Sequence, residues 1–175
     1  MRPAARLTPR RGEDTFAAAM VAEAIKSAPP VYELRSFHSR DAVGALIGRA
    51  RKALVREFDH EIAPLGLNTV QALVLILLAE GVTVTAADLC RELSHDAGAL
   101  TRIVDKLEAG GLVRRVRRQR DRRAADLELT KEGRRVHGEV RRAQVEVLNR
   151  MLRGFSRSEA RILEGLLKRI VENGL

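Results

Sequence analysis

From Ser39 onward the apolar residues Leu46, Ala50, Leu54, Phe58 and Ile62 recur every four positions, with Arg49, Arg51, Lys52, Arg56 and Glu57 between them. That spacing lines one face of a helix and predicts an amphipathic helix of about six turns, stopped by Pro64 and Gly66. The next run, "VQALVLILLAEG", is apolar nearly all round. A helix of that kind is buried on several sides. Asn68 and Gln71 stand ahead of it at capping-box spacing, and Gly81 ends it. Thr85, with Asp88 three residues on, predicts a capped third helix over "AADLCREL". Ser94 and His95 separate it from a fourth, "DAGALTRIVDKLEA", which stops at Gly110-Gly111, where glycine adopts a left-handed C-cap at little cost.

The period then changes. Ala125, Leu127 and Leu129 alternate with Asp126 and Glu128, and Val113 and Val116 alternate more weakly. A period of two predicts strands, here a hairpin whose tip falls near Gln119–Arg122. Helical spacing returns at Thr130, with Val136, Val140, Val147 and Met151 on a long helix to about Arg153. Ser156 and Glu159 form another capping box, opening a last helix with Ile162, Leu163, Leu166, Leu167, Ile170 and Val171 on one side. Residues 1–12 show no periodicity and are expected to be disordered. Residues 14–27 are expected to form a short helix ended by "SAPP", and a linker reaches about residue 38. No internal repeat is present. Two short helices across a tight turn, behind a buried helix, are either a helix-turn-helix or an ordinary helical hairpin. A strand pair directly after them is what a wing would be.

Charge narrows the choice of partner. The chain has 175 residues and a formal net charge of +9. Such a balance fits a polyanion, whether nucleic acid or an anionic membrane surface, and also an arginine-rich proteome. Aromatic residues are 3% of the chain, too few for a single-strand stacking platform. No segment approaches the length needed to cross a bilayer. Acidic Glu13, Asp14 and Glu23 bracket "FAAAMVA", which excludes a signal-peptide core. The single cysteine, Cys90, excludes an intramolecular disulfide and points to a reducing cytoplasm. It lies in phase with Ala86, Leu89 and Leu93 and reads as a packed small residue. His38, His60, His95 and His137 lack metal-ligand spacing, and a Cys90/His95 pair has no clustered carboxylates to help it. No nucleophile elbow, P-loop or dinucleotide fingerprint appears, so neither an enzyme nor a cofactor or metal is expected.

Five stretches in order, "LNTVQALVLILL", "VTAADLCRELS", "LTRIVDKLEAGGLVRR", "DRRAADLELTKEG" and "FSRSEARILEGLLKRI", resemble the MarR family of winged helix-turn-helix transcriptional regulators. The most specific piece is the Asp-x-Arg of the wing, Asp121 and Arg123, followed by "LT..G" at 129–133. The resemblance covers roughly residues 40–172. It implies a mainly α (α+β) fold: a winged helix-turn-helix at 67–130 with a two-stranded β wing, and a helical dimerisation layer from 39–66 and 131–175. Residues 1–38 are an extension outside it. It also implies a homodimeric repressor of double-stranded DNA, released by a small aromatic or phenolic acid. A nonspecific architectural nucleic-acid binder and an interaction module that has lost DNA binding are the alternatives.

In the fourth helix Leu100, Ile103, Val104 and Leu107 form the inward face, leaving Ala97, Gly98, Thr101, Arg102, Asp105 and Lys106 outside. The family lays this helix in the major groove. "DAGA" departs from the commoner pattern, which is richer in Ser, Thr and basic residues, so few hydrogen bonds to bases are expected, resting on Thr101 and Arg102. Arg102 suits a guanine or a phosphate equally. The stretch "RRVRRQRDRR" places seven arginines in ten positions at 114–123. By the resemblance, Arg123 enters the minor groove. Arg115, Arg117, Arg118, Arg120 and Arg122 then serve phosphates or solvent, and Lys106 joins the DNA-facing set. Asp121 is expected to cap the wing turn and hold Arg123. Relatives hold effectors between the dimer layer and the winged domain. Tyr32, His38, Arg40, Arg49 and His60 are the donors and cations on and near the first helix that would face an anionic effector.

Asp121 separates two accounts of the arginine run. Asp121→Ala adds one positive charge, so electrostatics alone would tighten DNA binding. If Asp121 orients the wing, gel shifts will show weaker binding to operator duplex than the parent. Arg123→Ala is expected to weaken operator binding by more than tenfold while the oligomeric state persists.

Overall fold

The computed structural model describes residues 29–81, 85–117 and 125–174. Contacts divide the chain into two units, Met1–Leu46 and Ile47–Leu175. In the first, the Tyr32 hydroxyl accepts the Val43 backbone N–H at 3.0 Å, and the Tyr32 ring meets Phe37 edge-on at 5.4 Å between centroids. This hydroxyl satisfies one of the free N–H groups at a helix start. Helix α1 accordingly runs Val43–Ile62 and begins later than Ser39, where the four-residue spacing places it. Residues before it form turns, with Asp41 N–H donating to the His38 carbonyl. The expected disorder at 1–12 and helix at 14–27 lie outside the described residues.

The second unit continues through a short 3-10 turn (Ala63–Leu65) to α2 (Thr69–Ala79), α3 (Ala86–Leu93), α4 (Ala97–Ala109), β1 (Val113–Arg117), β2 (Ala125–Leu129), α5 (Lys131–Met151) and α6 (Arg157–Asn173). The expected helix N-caps at Asn68, Thr85, Thr130 and Ser156 are present. Asn68 and Gln71, Thr85 and Asp88, and Ser156 and Glu159 each exchange side-chain and backbone bonds as capping boxes. Such caps are worth about 1 kcal/mol each. Asp59 of α1 also accepts from both N–H and hydroxyl of Thr69, at 2.6 and 2.8 Å, fixing the bend between α1 and α2.

Helix α2 is the centre of the core, with Ala72, Val74 and Leu75 fully buried. It contacts α3, α4, α5 and β2. Around it pack Ile62, Leu89, Leu100, Val104, Leu107, Val113, Val140 and Val147, all at most 2% exposed. Phe58 and Ile62 deliver the apolar stripe of α1 to this core, whereas Leu46 and Ala50 are exposed. Arg150 of α5 joins Glu61 at 2.8 Å and Glu57 at 3.8 Å on α1. Helix α6 is different: apart from Ala160, all its described residues are exposed in the single chain, including Leu166, Leu167 and Ile170.

The strands, α4 and α5 meet at one point. The Thr130 N–H donates to the Leu112 carbonyl at 3.0 Å, and its hydroxyl donates to the Gly111 carbonyl at 2.6 Å. That hydroxyl also accepts the Gly133 N–H at 2.9 Å, capping α5. A Cβ built on Gly133 would lie 1.9 Å from the Leu112 carbonyl oxygen. Only glycine permits this approach. Gly111, at φ 70°, supplies the left-handed residue expected at the end of α4.

Two alanine substitutions in α5 test this account. Gly133→Ala drives a side chain into backbone that no rotamer change can clear, and is expected to cost about 3 kcal/mol, the upper end for overpacking. For a chain this size that lowers the melting temperature by roughly 6–12 °C. Gly138→Ala, with no atom near its Cβ position, is expected to stabilise by about 0.5–1 kcal/mol. Thermal melts at one protein concentration decide; equal effects would refute the close-packing account.

Candidate nucleic-acid interface

The turn between α3 and α4 is built by Ser94 and Asp96. Ser94 takes the left-handed conformation at φ 50°, and His95 Nδ1 donates to the Leu93 carbonyl at 2.7 Å. Asp96 then caps α4 by accepting the Ala99 N–H at 2.8 Å. Leu100, Val104 and Leu107 turn inward, leaving Ala97, Gly98, Thr101, Arg102, Asp105 and Lys106 exposed on the other side. The two faces are those the apolar spacing implies. The Thr101 hydroxyl donates to the Ala97 carbonyl at 2.7 Å. Its proton is therefore engaged, and toward a groove it offers a lone pair and a methyl group.

The hairpin is antiparallel, with Val113 opposite Leu129, Arg115 opposite Leu127 and Arg117 opposite Ala125. An isolated bridge joins Thr85 to Asp126, so the N-cap of α3 is pinned to the wing. Nothing in the sequence periodicity marks that bridge. Val113, Leu127 and Leu129 are buried and seat the hairpin on the core. Arg118, Arg120, Arg122, Arg123 and Asp121, with the expected hairpin tip and the side chain of Arg117, lie outside the described residues.

Among the described residues of the run, Arg114 and Arg115 have protein partners. Arg114 donates to Glu128 across the hairpin at 2.6 Å. Arg115, expected among the phosphate contacts, donates to Asp105 at 2.6 Å and to Glu108, both on α4. Its backbone N–H also donates to Glu108, at 3.2 Å. The hydrogen bond it donates to Asp105 chiefly holds the Arg115 guanidinium above its ordinary pKa, with the Glu108 charge adding to it against partial burial. These carboxylates stand seven and ten residues earlier, and the run of arginines gives no sign of which member they take.

A cavity of about 410 Å³ lies behind α4, between the turn after α1 and the start of α5. Leu65, Leu67, Leu107, Leu112 and Val136 form apolar walls, and Lys106, Glu132 and Arg135 stand at its polar side. Gln71 also lines it and is 3% exposed. The Gln71 Oε1 accepts the Asn68 N–H at 3.0 Å, and among the described residues no group accepts from its Nε2. Arg135 pairs with Glu132 at 2.7 Å and with Glu139; the hydrogen bond from Arg135 lowers the Glu132 pKa. None of Tyr32, His38, Arg40, Arg49 and His60 lines this cavity. Tyr32 caps α1, His38 donates to the Ser36 carbonyl at 2.9 Å, Arg40 and His60 are exposed, and Arg49 borders a surface groove with Lys52 and Arg56. Cys90 is half-buried against the core. Among the described residues no group of three His, Cys, Asp or Glu side chains is placed to hold a metal, and no single helix is long and apolar enough to cross a membrane.

Residues 65–124, from the turn after α1 through the wing, match the model of the MarR family. The HTH-type transcriptional regulator FarR of Neisseria gonorrhoeae is 28% identical over 138 residues, covering 79% of this chain and 93% of that protein. The transcriptional regulator BldR from Sulfolobus solfataricus superposes with a TM-score of 0.65 at 30% identity, covering 74% of this chain and 93% of BldR. A mutant MarR from E. coli, solved in complex with operator DNA, superposes with a TM-score of 0.68 at 26% identity, covering 79% of this chain and 99% of that one. The capped helix pair with its exposed α4 face, the hairpin seated beside it and these likenesses agree: the chain belongs to the MarR family of winged-helix transcriptional regulators, and is a DNA-binding regulator rather than an enzyme.

Proposed function

We propose that the protein is a homodimeric repressor that binds a pseudo-palindromic operator and leaves it when a small aromatic acid binds. The observation that carries the dimer is α6. Ile162, Leu163, Leu166, Leu167, Ile170 and Val171 repeat at helical spacing and are 38–62% exposed. A stripe of that size on a soluble chain needs a partner surface, and a second copy presents the same stripe. Two copies would present two α4 helices to successive major-groove faces, with half-site centres about one turn, roughly 34 Å, apart.

In each half-site the exposed α4 residues Ala97, Gly98, Thr101, Arg102 and Lys106 meet base edges and phosphates. Thr101, whose proton is held by Ala97, accepts from adenine N6 or cytosine N4 or packs its methyl on thymine. Arg102 supplies the donor pair for guanine or clamps a phosphate. Asp121, Arg117, Arg118, Arg120, Arg122 and Arg123 complete the wing in the roles the sequence assigns, with Arg123 in the minor groove.

The cavity behind α4 supports an effector site better than the residues first expected. Its apolar walls suit an aromatic ring, and the Gln71 Nε2 with Lys106 and Arg135 offers donors to a carboxylate. Glu132 would have to give up Arg135 to such an anion. Lys106 lies on α4 itself, so an occupant touches the DNA-reading helix directly, and differential affinity for one α4 position is what release requires.

Two measurements test the proposal. Leu166→Glu with Ile170→Glu is expected to convert dimer to monomer in sedimentation velocity and to lower affinity at least tenfold for a duplex chosen by in vitro selection. A double variant that remains dimeric would rule out α6 as the interface. Wild-type protein should also prefer the selected duplex to a scrambled one at a single salt concentration; equal affinities would mark a nonspecific binder. For the effector, 2-hydroxybenzoate is expected to raise the melting temperature and release the selected duplex, and Arg135→Met is expected to abolish both effects. Unchanged effects in that variant would move the site elsewhere.

A further inference from the structure

Arg115 of β1 forms a triad with Asp105 and Glu108 of α4. Asp105 lies one helical turn beyond Thr101 and Arg102 on the same exposed face of α4. It is 55% exposed at the side chain, Glu108 37% and Arg115 36%. One guanidinium between two carboxylates leaves the group with a net charge of −1. A phosphate approaching it meets repulsion, whereas an unpaired arginine would attract one. By contrast, the Arg114–Glu128 pair is electrically neutral.

We infer that Asp105 and Glu108 are specificity-determining residues that act through Arg115: they fix the recognition helix to the wing and withhold the Arg115 charge from DNA phosphates. This rests on the proposal that α4 reads a groove. The arginine's backbone N–H and both terminal nitrogens are turned to the helix, so it serves as a mount between two reading elements. Sequence-independent attraction falls, since a phosphate can gain Arg115 only by displacing two carboxylates already in charge-assisted contact. Attraction to any duplex is the background against which a specific site must compete, so lowering it widens the ratio between the two.

Fluorescence anisotropy with a scrambled 24-bp duplex, across a salt series, tests this in four proteins: wild type, Asp105→Asn/Glu108→Gln, Arg115→Gln, and the triple variant. The double variant is expected to bind the scrambled duplex about tenfold more tightly than wild type, with the salt slope steeper by about 0.9, one phosphate contact. In the Arg115→Gln background the same two changes are expected to gain less than threefold, because the arginine they release is absent. The preference for the selected duplex over the scrambled one should fall in the double variant. Equal gains in both backgrounds would show a through-space charge effect and overturn the role of Arg115; no gain in either would overturn the inference entirely. If the double variant does not fold by circular dichroism, Asp105→Asn and Glu108→Gln singly give the same comparison. A wild-type protein that binds no duplex would refute the DNA reading itself, a separate failure.

Discussion

The fold depends on one close approach, that of Gly133 to the carbonyl of Leu112. At this point α4 has just ended, β1 begins, β2 has just returned and α5 starts. Thr130 ties all four through its N–H and hydroxyl, and Arg134 adds a bond from its guanidinium to the Leu129 carbonyl at 2.8 Å. Because backbone meets backbone here with no side chain between, there is little slack. A rotation of α5 must carry the end of α4 and the root of the wing with it. The cavity behind α4 is bounded in part by α4, Leu112 and α5, so its occupant would push on a rigid joint.

Charge is organised on top of that joint. The chain as a whole is strongly basic, yet the positive residues are not a uniform coat. Arg114 and Arg115 are held by carboxylates at the root of the wing, Arg135 by carboxylates along α5, and Arg150 by carboxylates of α1. Exposed pairs of this kind add at most about 1 kcal/mol each to stability. Their larger effect is on orientation, since a forked guanidinium fixes its partners in direction as well as distance.

What the sequence disclosed was local. The caps at Asn68, Thr85, Thr130 and Ser156 are legible because both partners stand within three residues, and the inward residues of α4 because a helix repeats its own period. The start of α1 was not legible, since the group that caps Val43 is a hydroxyl eleven residues earlier. Nor was the division of labour among the arginines. Arg115 differs from its neighbours only in which carboxylates the fold brings to it. The "LT..G" signature was visible as a motif, while the reason for its glycine, a carbonyl from another element, required the tertiary structure. The cavity was likewise hidden, because its walls come from three separate stretches, each apolar for the sake of the core.

Helix α6 has a consequence beyond assembly. A chain that leaves its last helix with no core of its own makes that helix's stability a matter of mass action. Under the proposed dimer, at low copy number the stripe would be wet and the helix would stand on its capping box and propensity alone; as copies accumulate, each would cover another. Folding of the C-terminal segment and abundance of the protein would then be the same variable, and a cell that dilutes the regulator by growth would also loosen it.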